Sequence, residues 1–216
     1  MAPDVDRIIN SDARLAIHHR PLSVTRVATA ELPTRFGNFH LIGYRSLSGS
    51  EEFVALTMGQ LRRHAVLVRI HSQCLTGEVF GSRRCDCGVQ LQRALEMISA
   101  AGRGALVYQL QEGRGIGLLN KVRAYALQDE GADTVEANER LGFPPDMRDY
   151  RQCAEIFVDL GISRANIMTN NPCKLSAIKD AGLEIVSRVP LQVEPSQSSI
   201  GYLRTKMQKL GHLLQL

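Results

Sequence analysis

Near residue 75 the spacing of apolar residues changes, and with it the kind of structure the chain can form. Before that point the text reads as short strands: "VTRVATAELPT", "FGNFHLIGYR", "EEFVALTMG" and "HAVLVRIHS" are rich in Val, Ile, Leu and Phe and are separated by Gly, Pro and Ser. After it, Leu91, Ala94, Leu95 and Ile98 recur at helical spacing, and Gly102 ends that helix. A buried strand, "GALVYQL", follows. Next comes a helix over "LLNKVRAYALQDEG", with Leu118, Leu119, Val122 and Ala126 predicted to face inward and Gly131 closing it. A helix over "DYRQCAEIFVDLG" carries Tyr150, Cys153, Phe157 and Leu160 on one stripe, and "ANIMTNN", "CKLSAIKDAG" and "LEIVSRVPL" continue as strand, helix and strand. The expectation is an α/β fold: a mixed sheet with helices on its faces, its N-terminal half strand-rich and its C-terminal half βαβ-like.

At 216 residues and 44% hydrophobic, the chain can bury the core of one domain, which we place at residues 23–194. Residues 1–22 show no sustained period and read as a flexible N-terminal extension, in which His18 and His19 are expected to be solvated. Residues 195–216 read as a tail with a short amphipathic helix bearing Leu203, Met207, Leu210 and Leu214 behind the loop-like "EPSQSS". The net charge of +4 is spread along the chain with no Lys/Arg block and no Trp, which argues against nucleic acid and for a small anionic substrate. No leader-like start is visible, and the longest apolar stretches, such as residues 65–69 and 104–108, are strand-sized. The expectation is a soluble cytoplasmic chain without membrane partners, whose thiols stay reduced.

That expectation bears on "CLTGEVFGSRRCDC", where Cys74, Cys85 and Cys87 fall within fourteen positions of a chain holding five cysteines. A C-x10-C-x-C spacing can converge three thiolates on one ion, and zinc suits tetrahedral sulfur ligation. His71 stands three residues before Cys74. With His71 as fourth ligand the site would be closed and structural. Without it, one coordination position is open to water, which zinc makes more acidic. Spacing alone leaves both readings open. Cys153 and Cys173 read as packing or surface thiols.

Three further segments carry polar groups into turns. "QEGRGIGLLNK" joins a buried strand to a helix and offers Arg114 and Lys121, yet lacks the third Gly of a dinucleotide fingerprint and the G-K-[ST] of a P-loop. "FPPDMRDY" presents Asp146, Arg148 and Asp149 ahead of a helix, where solvated charges at an N-cap are the simpler reading. "TNNPCK" puts Lys174 beyond a strand's C-terminal end, where ligands of open α/β sheets lie.

Taken together, "RIHSQCLTGEVFGSRRCDCGVQL", "YQLQEGRGIGLLNKVRAYALQD", "DTVEAN", "LGF", "DMRDY", "TNNPCK" and "YLRTKMQKLGHLL" resemble the GTP cyclohydrolase II family, in order and with compatible gaps from about Val24 to the C-terminus. The resemblance implies a homodimeric, cytoplasmic Zn²⁺- and Mg²⁺-dependent hydrolase of riboflavin synthesis. Such an enzyme converts GTP to 2,5-diamino-6-ribosylamino-4(3H)-pyrimidinone 5′-phosphate, formate and pyrophosphate. It implies Cys74, Cys85 and Cys87 as zinc ligands with one position open. His71 then serves substrate, together with Arg69, Ile70, Ser72 and Gln73. Gln90, Glu112, Gly113, Arg114, Thr134, Thr169 and Lys174 match further GTP contacts. Asp146 matches the proton acceptor, Arg148 the group assigned as nucleophile at the α-phosphate, and Tyr125 a residue linked to ring opening. Because a guanidinium stays protonated, residue chemistry favours charge stabilisation for Arg148.

This chain departs from the family where Gln73 replaces the usual Glu before the first Cys, removing a negative charge beside the metal while keeping hydrogen-bonding capacity. The leading residues are too few for the second riboflavin enzyme fused upstream in many family members, so a stand-alone form is expected. Two other readings remain: a variant cyclohydrolase that serves another pathway or stops at a formylated intermediate, and a non-catalytic GTP- or zinc-binding protein.

Overall fold

Alternation along two neighbouring strands decides where polar side chains are buried. In a computed structural model of the chain, which describes residues 21–191 and 200–214, strands β4 (Val66–Ser72) and β5 (Gly104–Gln109) run parallel at the centre of a seven-stranded mixed sheet. On β4, Val66, Val68 and Ile70 enter the core on one face, so Leu67, Arg69 and His71 point to the other. Apolar residues thus fill one side of the strand. Two ionisable ones are buried on the opposite side, toward its C-terminal end.

The remaining strands extend the sheet both ways. β1 (Val24–Thr34), β2 (Gly37–Ser46) and β3 (Glu52–Met58) form an antiparallel meander, with Arg35 and Phe36 as the two-residue turn between β1 and β2. β3 then pairs antiparallel with β5, not with the β4 that follows it in sequence. On the other side β6 (Arg164–Met168) and β7 (Glu184–Val189) continue parallel from β4, giving the order β1-β2-β3-β5-β4-β6-β7. The fold is the mixed α/β sheet expected from the change of period.

Helices cover both faces. After the single-turn helix α1 (Leu75–Glu78), α2 (Cys87–Ala101) buries Ala94, Leu95 and Ile98 against Leu106, Phe39 and Met168, and Gly102 ends it in the left-handed conformation at φ 65°. On the opposite face, α5 (Arg151–Asp159) and α6 (Pro172–Asp180) pack Ile156, Phe157 and Ile178 on Val68, Ile70 and Val107. The predicted stripe of Tyr150, Cys153, Phe157 and Leu160 is buried throughout. No described helix is long and apolar enough to cross a membrane.

Two expectations are corrected. Helix α3 (Leu118–Asp129) turns Leu118, Leu119, Val122 and Ala126 outward, with Leu119 77% exposed, and buries Lys121 and Ala124 instead. Its inner side faces a polar cavity containing Glu112 and the thiols, where an ammonium finds partners and an isobutyl group does not. A short helix, α4 (Thr134–Arg140), stands where no helical period was read. Its signal is a capping box: Asp133 accepts from the N–H groups of Val135 and Glu136, and Glu136 accepts from that of Asp133. The tail contributes α7 (Ile200–Leu210), with Leu203 buried. His18, His19 and the "EPSQSS" loop lie outside the described residues.

Candidate active site

The chain leaves β4 through Gln73 and Cys74 into α1, and returns through Cys85 to Cys87, the first residue of α2. This loop brings the three Sγ atoms within 4.8 Å of one another, with Cys74 and Cys85 3.6 Å apart. For tetrahedral zinc with Zn–S bonds of about 2.3 Å, sulfur atoms sit about 3.8 Å apart, so the donor set fits such an ion. Gly77 makes the approach feasible: a Cβ there would lie 2.9 Å from Cys85 Sγ and 3.3 Å from Cys74 Sγ. The hydrogen bonds Cys85 and Cys87 make to Cys74 lower its thiol pKa, Lys121 lowers it further, and the other two thiols are raised in turn.

His71 belongs elsewhere. Its Nε2 lies 3.0 Å from Glu78 Oε1, which also accepts the backbone N–H of Cys74 at 2.8 Å, while Glu78 Oε2 accepts from the Tyr108 hydroxyl at 2.6 Å. Burial pushes the His71 imidazole down to about 4, so it is neutral at physiological pH. Glu78, unremarked in the sequence, is the hub that fixes the first cysteine's backbone.

The Gly-rich segment after β5 makes one tight turn, Glu112–Gly115, in which Gly113 and Arg114 both adopt left-handed, non-helical backbone at φ 63° and 62°. For the non-glycine Arg114 this costs on the order of 1–2 kcal/mol. The turn aims Arg114 inward. It is 8% exposed, and neither terminal guanidinium nitrogen has a partner. Glu112 accepts from the backbone of Leu75 and Gly113 and from Lys121 Nζ at 2.6 Å, and Lys121 also donates to Cys74 Sγ at 3.2 Å. Tyr125 closes this side, its hydroxyl 3.1 Å from Thr76 Oγ1.

A second group of charges converges from distant elements. Arg69 donates to Met168 O and to Gln90 Oε1, and burial lowers its pKa to about 10. Lys174, in the first turn of α6, donates to Ile70 O at 2.9 Å, and burial, then Arg69 and Arg148, lower its pKa far below the ordinary lysine value. A helix N-terminus disfavours a cation and favours an anion, so Lys174 is electrostatically unsatisfied in two ways. Arg148 makes a bidentate pair with Asp146 at 2.8 and 2.5 Å. Burial opposes the charge of each partner. Tyr150 and Asp146 outweigh that for Arg148 and raise its pKa, while Arg148 outweighs it for Asp146 and lowers it. Tyr150 lies beneath both cations, its ring centroid 5.6 Å from Arg148 and 5.1 Å from Lys174.

These groups line two adjoining cavities of about 60 and 90 Å³ that share Ser72, Cys87, Arg148 and Tyr202. The smaller, cationic one holds Arg69, His71, Gln90, Thr169 and Lys174; the larger, thiol-lined one holds Gln73, Cys74, Cys85, Glu112, Gly113, Arg114, Tyr125 and Thr134. Ile70 offers only its backbone, because its side chain is core. Asp146 lines neither cavity and reaches the site through Arg148. The solvated N-cap reading of "FPPDMRDY" is corrected for Asp146 and Arg148, whose side chains are only 22% and 14% exposed; Asp149 does remain exposed. The sequence reading missed Glu78, Asp86, Tyr150, Tyr202 and Lys206. Glu78 follows Cys74 by one helical turn, but nothing local marks the others.

Comparison with known proteins adds an independent line. The sequence profile described as GTP cyclohydrolase II matches residues 25–190. The riboflavin biosynthesis protein RibBA of Bacillus cereus (strain ATCC 14579) is 56% identical over 200 residues, 92% of this chain and 50% of that protein. RibBA of Bacillus cytotoxicus is 53% identical over 214 residues, 99% of this chain and 54% of that protein. The chain thus spans about half the length of these curated relatives. Among solved structures, RibBX from A. baumannii, a two-domain 3,4-dihydroxy-2-butanone 4-phosphate synthase, aligns with 81% of this chain and 42% of its own. That match has a TM-score of 0.47 and 17% identity, too loose to bear on the site.

Proposed function

The chain belongs to the GTP cyclohydrolase II family, and we propose that it hydrolyses GTP in riboflavin synthesis, opening the imidazole ring of guanine and releasing formate and pyrophosphate. The observation that carries this reading is a three-thiol cage joined to a cation-lined cavity through shared walls that include Arg148. The ring carbon and the α-phosphoryl group are separated by the ribose and need different chemistry, so a separate set of groups is proposed for each.

Cys74, Cys85 and Cys87 would hold Zn²⁺, which when bound supplies Lewis acidity and an acidified water at the ring carbon. Lys121 offsets the thiolate charge through its bond to Cys74, and Glu78 fixes the backbone of that ligand. Tyr125 exchanges the ring-opening proton through its hydroxyl, while Gln73, Glu112, Gly113, Arg114 and Thr134 orient the guanine and ribose. At the phosphate Arg69, Arg148 and Lys174 stabilise charge as pyrophosphate leaves, and Mg²⁺ carried by the substrate would supply further charge neutralisation. The bidentate carboxylate keeps Arg148 protonated and oriented, which supports charge stabilisation over attack by its nitrogen. Asp146 accepts a proton only after substrate draws that guanidinium away. His71, neutral and bonded to Glu78, shapes the wall between the cavities. The proposal includes a homodimer, measurable by sedimentation of the zinc-loaded chain.

The test is to incubate the protein with Zn²⁺, Mg²⁺ and GTP and to quantify formate and pyrophosphate separately, with ATP in parallel. Equimolar formate and pyrophosphate are expected from GTP. ATP should turn over roughly 10⁴-fold more slowly, because buried groups built for one base edge stay unpaired with the other. Pyrophosphate without formate would leave either a ring-opened formylated product or GMP, which mass spectrometry of the nucleotide distinguishes, and GMP alone or the absence of both products would refute the reading.

A further inference from the structure

The matching segment "YLRTKMQKLGHLL" was given no site residue, yet residues of this tail wall both cavities. Tyr202 lines the thiol-lined and the cationic cavity alike, and Lys206 and His212 line the cationic one. The segment is fastened at three places. Lys206 Nζ donates to Asp86 Oδ1 at 3.2 Å in a buried pair. Lys209 reaches Asp133 and, at 3.0 Å, Glu136, at the start of α4. The N–H of Leu213 donates to Asn170 O at 2.8 Å.

The charges around Tyr202 point to a ligand. Lys206 Nζ lies 4.2 Å from the ring centroid and the Arg114 guanidinium 5.7 Å. Arg114 is nine-tenths buried with both terminal nitrogens unpartnered, and an ammonium has three donors, of which Asp86 takes one. The tail therefore adds a cation to a chamber already holding Arg69, Arg148 and Lys174. One carboxylate beside Lys206 and one beside Arg148 leave the chamber net positive.

Attachment decides whether this wall is fixed. Leu203 is the one fully buried apolar side chain of α7, and the other fastenings are the polar contacts above, so the segment can lift without opening the core of the sheet. With it docked, it walls two cavities of about 60 and 90 Å³ that are partly open to solvent. With it lifted, the thiols, Arg148 and Lys174 stay on elements of the sheet and its helices.

We propose that residues 200–214 form a movable wall of the nucleotide site, and that Tyr202 and Lys206 bind substrate when it closes. Lys206 meets the triphosphate, and Tyr202 meets the nucleoside where the two cavities join. This inference rests on the GTP reading above and adds two binding residues and a gating element to it.

The experiment uses the zinc-loaded full chain and measures, by calorimetry, affinity for guanosine 5′-(α,β-imido)triphosphate, whose bridge at the bond to be cleaved is blocked, with Mg²⁺ and for guanosine, alongside the KM for formate release. Lys206→Ala should weaken the triphosphate analogue roughly 10- to 100-fold, the range of one charge-assisted hydrogen bond, and leave guanosine within about twofold. Lys206→Arg should recover most of the loss, and Tyr202→Ala should weaken both ligands. Arg204→Ala, at an exposed position of α7 that lines neither cavity, should change either affinity by less than about threefold. The analogue should also slow hydrogen exchange over residues 200–214. Zinc content and thermal unfolding of each variant separate a lost contact from a lost fold. Parental affinity and KM in both Lys206→Ala and Tyr202→Ala would overturn the inference alone. Equal losses for triphosphate and guanosine in Lys206→Ala would overturn the phosphate assignment. A parent that neither binds the analogue nor releases formate would overturn the GTP reading and this inference with it.

Discussion

The two cavities share a wall but not an origin. All three thiols of one come from residues 74–87, tethered by a loop that Gly77 allows to close. The cations of the other arrive from β4, from the loop before α5, from the first turn of α6 and from α7, positions 69, 148, 174 and 206. A metal cage demands donors within about 4 Å of one another, which a short covalent tether secures cheaply in chain entropy. A polyanion chamber demands only convergent charge, and a folded sheet can deliver that from anywhere. The electrostatic states differ accordingly. The cage has its counter-charge in Lys121, whereas Lys174 is buried beside Arg69 and Arg148 with its pKa driven down, a state that a triphosphate would relieve.

If the division is functional, breaking one side should spare the other. Cys85→Ser should lose zinc by metal analysis and release no detectable formate, while slow pyrophosphate release persists with GMP as product. Arg148→Ala should do the reverse at the metal, keeping full zinc content, and cut pyrophosphate release about 10²–10³-fold, the usual cost of one group acting in the transition state. Formate falls with it if phosphate chemistry comes first. Formate at the parental rate from Cys85→Ser would dissolve the division.

The same contrast governs what the sequence could tell. The thiol cluster was visible because its cysteines are neighbours in the chain, and the strands and helices because period two and period 3.6 are local properties. The inner face of α3 was misread because its interior is polar. An apolar-in rule puts Leu119 inside, but Lys121 is what the thiols and Glu112 require. Helix α4 was missed because seven residues are too few to show a period, although Asp133 and Glu136 spell its cap. The chamber around Arg148 could not be assembled from local pattern at all. Its parts are single charges in separate segments, and only the order β5-β4-β6 brings them to one end of the sheet. Resemblance to a family supplied most of those positions, but not Tyr150, Tyr202 or Lys206.

A smaller perturbation sharpens the local side of the comparison. Gly77→Ala keeps every ligand but sets a methyl group 2.9 Å from Cys85 Sγ and 3.3 Å from Cys74 Sγ, closer than such contacts allow without a shift. Because Gly77 sits inside the loop that closes the cage, the sulfurs must move or the turn must open. Disturbing the shell behind metal ligands typically costs 10–100-fold in affinity, and we expect that range in competition with a zinc chelator. Affinity for the triphosphate analogue should stay within about twofold. Unchanged zinc affinity would mean that the loop is slack and the tether is not what assembles the cage.

The smallest effect expected tests the corrected face of α3. Leu119 is 77% exposed and Val122 55%, so replacing Leu119 with Ser removes little buried area. Exposed substitutions away from caps and pairs usually change stability by less than about 0.5 kcal/mol, whereas truncating a buried leucine costs about 2–5 kcal/mol. Denaturant unfolding of Leu119→Ser should therefore fall within about 0.5 kcal/mol of the parent, with zinc content and GTP turnover unchanged. A loss near 2 kcal/mol that is independent of protein concentration would return this face to the core and reverse the account of Lys121. A loss that appears only at concentrations where the parent self-associates would instead put Leu119 in the contact between two copies. The two outcomes separate because an intramolecular core does not respond to dilution, while an interface does.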